Sequence, residues 1–157
     1  MRRYAVSVFS VILLAACGLL PCQAQPNFSG TWKLNAAKSD FGAMPRPEAR
    51  TDRITHHGPD LKDSVTQNGP RGEVTVEMRY STDGRETTNN VRGNQIRSTA
   101  RWEGDALAIA GKMQMNGADV TLSDRWSLSH DGKTLTILRH VNSSTGVTDQ
   151  TLVLEKQ

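Results

Sequence analysis

A chain of 157 residues with 19 basic and 16 acidic side chains carries a net charge of +3, and two of the basic residues, Arg2 and Arg3, stand at its very start. That balance leaves no basic excess to mark a nucleic-acid binder. Four scattered histidines and two cysteines, Cys17 and Cys22, offer no metal-ligand spacing, so neither a metal nor a cofactor is expected.

The first 24 residues set the expected compartment. Met1-Arg2-Arg3 is a positive start, Tyr4 to Leu20 is apolar, and Pro21-Cys22-Gln23-Ala24 supplies the small residues of a signal-peptidase site. Leu14-Ala15-Ala16-Cys17 also fits the lipobox of bacterial lipoproteins, although Gly18-Leu19-Leu20-Pro21 prolongs the apolar run where a polar tether is usual. Both routes export the protein, either to the periplasm or medium after cleavage at Ala24, or to a membrane-anchored lipoprotein lipidated at Cys17. No transmembrane segment is expected. Cleavage after Ala24 removes two arginines and both cysteines, leaving residues 25–157 with 17 basic groups against 16 acidic. This remaining part is of single-domain size and must stand on its core, without a disulfide.

Gly30-Thr31-Trp32-Lys33-Leu34 reads as a first strand, followed by a long connection, residues 35–51, that contains Pro45 and Pro47. Arg53 to His57 and Leu61 to Gln67 read as a hairpin over Pro59-Asp60, which sets His56 opposite Asp63. Gly69-Pro70-Arg71-Gly72 is turn chemistry rather than a phosphate loop, because no helix follows it. Val74, Val76, Met78 and Tyr80 then alternate with Glu73, Thr75, Glu77 and Arg79, the pattern of a half-buried strand.

From there to Val141 the chain is a run of alternating strands joined by short turns. Asp83-Gly84, Gly93-Asn94, Gly104-Asp105, Asn116-Gly117 and Asp131-Gly132 are dipeptides that accept positive φ and match strand twist. A two-residue turn pairs its flanking positions, so each one predicts a register. The first sets Tyr80 against Thr87 and Met78 against Asn89; the second sets Val91 against Ile96 and Asn89 against Ser98. The remaining three pair Trp102 with Leu107, Ala100 with Ile109, Met113 with Val120, Leu107 with Trp126, Trp126 with Ile137, and Asp124 with Arg139. Apolar residues meet apolar ones throughout. With Val147 to Leu154 as a last strand, the chain predicts an all-β, antiparallel up-and-down meander, closed on itself as a barrel of about 8–10 strands.

Phe28-Ser29-Gly30-Thr31-Trp32-Lys33-Leu34-Asn35 resembles the Gly-x-Trp signature that opens the first strand of lipocalins and related calycin barrels. Lys38-Ser39-Asp40-Phe41-Gly42 and Ser129-His130-Asp131-Gly132-Lys133-Thr134-Leu135 are similar to phrases of small secreted bacterial lipocalin-like proteins. The resemblance implies a barrel able to hold a small apolar ligand, with the tryptophan closing the floor beneath an arginine from a late strand, for which Arg139 is the counterpart. A count of ten strands would be nearer to fatty-acid-binding proteins, whose helical lid has no equivalent in this sequence.

The leading expectation is a monomeric, non-enzymatic carrier of a small hydrophobic or amphipathic molecule. Met78, Tyr80, Trp102, Ile109, Met113, Trp126 and Ile137 are expected to line its interior. Asn89, Ser98, Asp124 and Arg139 are expected to orient the ligand there, and the 35–51 connection to cover the mouth. The plainer reading of the buried cross-strand Asp124 and Arg139 is a structural ion pair, and the sharper one is that Arg139 meets the ligand head with Asp124 orienting it. Two alternatives stand beside this: an isomerase, cyclase or lyase using His56 and Asp63 as an acid–base pair, and an envelope protein acting through its outer surface.

Overall fold

The computed structural model describes residues 25–70 and 72–157; residues 1–24, on which the expected signal peptide with its cleavage site at Ala24 and the alternative lipidation site Cys17 fall, lie outside the described residues. Ten strands follow in chain order: β1 Gly30–Leu34, β2 Ala49–His57, β3 Asp60–Gly69, β4 Gly72–Ser81, β5 Thr87–Val91, β6 Asn94–Glu103, β7 Ala106–Met115, β8 Ala118–Leu128, β9 Thr134–Ser143 and β10 Gly146–Lys156. They form one antiparallel sheet in the order β4-β3-β2-β1-β10-β9-β8-β7-β6-β5, a meander rolled into a nearly closed barrel. The strand count is thus ten, and no helix occurs among the described residues.

Alternation puts one face of every strand inside. At one pole Phe28, Trp32, Leu61, Leu107, Trp126, Leu135, Ile137 and Leu154 are all buried, and Trp102 packs against them. Phe28 lies parallel to Trp102 at 5.8 Å between ring centroids and edge-on to Trp126. This pole is filled by side chains.

The Gly-x-Trp motif has a local explanation. Gly30 sits at φ 146°, and a Cβ there would lie 2.8 Å from Lys156 Cε. The bare glycine lets the Lys156 stem cross it, which places Nζ 5.2 Å from the centroid of the Trp32 ring. Trp32 Nε1 donates to the Phe28 carbonyl at 2.9 Å. The cation over the floor tryptophan is therefore Lys156. Arg139, the expected counterpart, is held by Asp124 instead.

The register of β6 to β9 is as the turns predict: Trp102 pairs with Leu107, Leu107 with Trp126, Trp126 with Ile137, and Asp124 with Arg139. Three earlier pairings differ. Between β5 and β6 the turn is Arg92-Gly93, both at positive φ, with Asn90 Oδ1 accepting from Gly93 N at 2.9 Å. Asn89 therefore pairs with Ile96, and Thr87 with Ser98, two residues from the expected register. Between β2 and β3 the corner is Gly58 at φ 57°, followed by Pro59, so His56 pairs with Leu61 and Asp63 with Ile54. Both slips are even, and the inward face is preserved.

The third difference is larger. Asp83-Gly84 does not close a β4–β5 hairpin: Gly84 N donates to Ala100 O at 2.9 Å, and Asp83 bridges to Arg101. Tyr80 and Thr87 are not ladder partners, and β4 and β5 are the two ends of the sheet. One side chain spans the seam. Asn89 Oδ1 accepts from Arg79 N at 2.7 Å and Asn89 Nδ2 donates to Arg79 O at 2.9 Å, so an amide side chain stands in for a rung of backbone ladder.

Candidate functional site

Strand β2 begins at Ala49, not after residue 51, and this brings an unexpected arginine inside. Arg50 and Asp52, both facing inward, form a bidentate pair, Nε to Oδ1 at 2.7 Å and Nη2 to Oδ2 at 2.6 Å. Between β8 and β9 Arg139 grips Asp124 in the same way at 2.8 and 2.7 Å, and Trp126 Nε1 adds a contact to Asp124 at 3.3 Å. Fork-to-carboxylate geometry of this kind offsets the cost of burying both charges. Burial alone would lower the Arg139 pKa, but the adjoining Asp124 carboxylate outweighs it and keeps the guanidinium charged.

Asp63 belongs to the same polar layer without such a partner. It is 2% exposed, and its Oδ1 accepts no hydrogen bond among the described residues. Burial, then the neighbouring Asp52 carboxylate, push its pKa well above the ordinary value. Burial and the nearby Asp124 likewise raise the Tyr80 hydroxyl, which therefore stays protonated.

Above this layer, at the pole opposite the aromatic floor, lies a cavity of about 690 Å³. Ligand pockets span about 300–1,000 Å³, so it is of a size to take a small molecule. The β1–β2 connection contributes Phe41, Met44 and Arg46 to its wall, the sheet contributes Arg50, Val74, Arg139 and Leu152, and the β5–β6 turn contributes Arg92. Four arginines and a set of apolar groups meet there. No aspartate or glutamate lines it among the described residues.

The expected site residues divide between the two poles. Arg139 lines this cavity, and Asp124 holds it from beneath. Tyr80, Ile109, Trp126 and Ile137 belong to the packed core, with Met78 and Trp102 against it. Ser98 is buried beside Gly111, Asn89 closes the seam, and Met113 is half-buried on β7. The connection forms part of the mouth, although it ends at residue 48 rather than 51.

His56 and Asp63 are both inside but are not opposed, and no hydrogen bond joins them. His56 stacks on Phe28 at 5.9 Å and Trp102 at 6.0 Å, and its Nδ1 accepts from Phe28 N at 3.4 Å. Burial lowers its pKa. The pair on which the acid–base alternative rested is therefore not formed. Arg50, Asp52, Arg46 and Arg92 were missed. The alternation of Ile54 and His56, run backwards to Asp52 and Arg50, carried the signal for the first two.

No family model matches the chain, and no curated protein matches it in sequence. Solved structures match it in fold. An ileal bile acid-binding protein from zebrafish, crystallised with cholic acid, superposes with a TM-score of 0.58 at 16% identity, over 83% of this chain and 98% of that one. A secretory abundant heat soluble protein of Ramazzottius varieornatus superposes with a TM-score of 0.63 at 13% identity, over 85% and 98%. The fold is thus a ten-stranded, calycin-like barrel similar to these two, and at these identities the likeness extends to the fold alone.

Proposed function

We propose that this barrel is an exported carrier of a small amphipathic molecule with an anionic head. The observation that carries the reading is the cavity at the open pole: Arg46, Arg50, Arg92 and Arg139 on its wall, apolar groups from Phe41, Val74 and Leu152 between them, and no carboxylate lining it among the described residues. Guanidiniums bind carboxylate, sulfate or phosphate through paired N–H donors. Arg50 and Arg139 each commit Nε and Nη2 to an aspartate, which leaves Nη1 for a ligand. The apolar wall suits the rest of such a molecule. That the zebrafish protein of similar fold was crystallised with cholic acid supports the class of ligand.

Dodecanoate and cholate, titrated calorimetrically against dodecanol as the uncharged comparator, test it. Binding of either anion, weakened at least tenfold by Arg92→Glu together with Arg46→Glu, is expected. Equal affinity for dodecanoate and dodecanol would overturn the role given to the arginines. The compartment rests on residues 1–24, and the mass of the protein recovered from its own envelope distinguishes cleavage after Ala24 from lipidation at Cys17.

A further inference from the structure

The polar layer beneath the cavity holds one more carboxylate than guanidiniums. Arg50 and Arg139 are each matched to an aspartate of their own, Asp52 and Asp124. Asp63 is left over, buried, with Oδ1 unpartnered. The charged and titratable groups acting on it are Arg50 and Asp52 from β2, Tyr80 from β4, Asp124 from β8 and Arg139 from β9. With Asp63 ionised this group carries a net negative charge; with Asp63 neutral its charges cancel.

An anion arriving at Arg50 and Arg139, which both line the cavity, meets that balance directly. Two negative groups sharing a pair of guanidiniums in a poorly solvated layer disfavour each other strongly. We propose that Asp63 and the anionic head of the ligand compete for the same two guanidiniums, so that the barrel takes up one proton with each anion and releases the anion when Asp63 ionises. The proton passes from solvent to an Asp63 carboxylate oxygen, and no other covalent bond changes. This inference rests on the anion-carrier reading and adds proton linkage to it.

The burial of Asp63 and its Asp52 neighbour both favour the neutral form, in keeping with this exchange. Calorimetry of dodecanoate in phosphate and in Tris, buffers with unlike heats of ionisation, counts the protons taken up. At pH values above the midpoint of Asp63 in the free protein, where its carboxyl starts ionised, the wild-type protein should absorb up to one proton per dodecanoate. Its affinity should fall by about tenfold per pH unit once Asp63 is mostly ionised, because only the neutral fraction is competent. Asp63→Asn should bind with no proton uptake and a flat pH profile.

Dodecanoate binding without proton uptake in the wild type, or an unchanged pH slope in Asp63→Asn, overturns the linkage and leaves the carrier intact. Failure of wild type and variant to bind dodecanoate or cholate overturns both. Should the variant not fold, the carboxyl ¹³C shift of Asp63 in the wild type decides the matter. Its titration midpoint should rise when dodecanoate is bound, and an unmoved midpoint overturns the proposal.

Discussion

Closure of the barrel by the side chain of Asn89 gives a sharp test of how the seam is held. Arg79 lies on the last strand of one sheet edge, and both its backbone N–H and C=O go to Asn89, at 2.7 and 2.9 Å. Asn89→Ala deletes both bonds, each worth about 0.5–1.5 kcal/mol net, so a loss of about 1–3 kcal/mol is expected. Arg79 is exposed, and water can reach the freed groups, which places the loss toward the lower end. Asn89→Asp keeps an acceptor for Arg79 N but turns a carboxylate oxygen toward Arg79 O, at a position only 6% exposed. It should therefore cost more than alanine, although it is the closer isostere. Urea unfolding supplies the free energies, and hydrogen exchange at the Arg79 amide reports the rung itself. An aspartate variant as stable as wild type, or an Arg79 amide equally protected in the alanine variant, would refute the view that this amide seals the barrel.

Arg139→Ala should cost about 3–5 kcal/mol in chemical denaturation, since it strands the fully buried Asp124 carboxylate. The paired change Asp124→Leu with Arg139→Met should recover most of that loss, and additive single effects would count against coupling. Gly30→Ala forces a side chain into φ 146° and toward Lys156, and should lower stability by about 1–3 kcal/mol, read as a drop in Tm. For Asp63 the sign follows from a folded-state pKa raised above its ordinary 3.8. Its contribution is fully present below that value and is lost as pH rises through the folded pKa, so Asp63→Asn should gain on wild type as pH increases in guanidinium unfolding. Equal pH profiles would show that Asp63 titrates normally.

The legible part of the chain was the part whose turns have one reading. Asn116-Gly117 places glycine second, where the tightest positive-φ corner falls, and the β7–β8 register followed from it. Gly93-Asn94 and Pro59-Asp60 misled because the actual turns begin one residue earlier, as Arg92-Gly93 and Gly58-Pro59, and Arg92 accepts φ 52° with Asn90 capping Gly93. Asp83-Gly84 had the composition of a hairpin, but its hydrogen bonds run to β6, a long-range competition that no local pattern displays. The Asp124–Arg139 pair was visible because it falls within the reliable register. Arg50 and Asp52 were hidden by the prolines before them, which read as loop, and by the rule that charged residues alternate outward. The cavity wall is also assembled from distant segments: Arg46 and Arg92 share it only because a connection and a turn meet at one pole.

Both ends of the described chain sit at the filled pole: Phe28 packs in its aromatic stack, and Gln157 N donates to Thr31 O at 2.9 Å. The arginine-lined opening is at the other end of the barrel. A bead, a fluorophore or a lipid attached ahead of residue 25 would therefore leave the entrance pointing away from its attachment. Immobilisation through that terminus should then permit uptake measurements on a surface without blocking access.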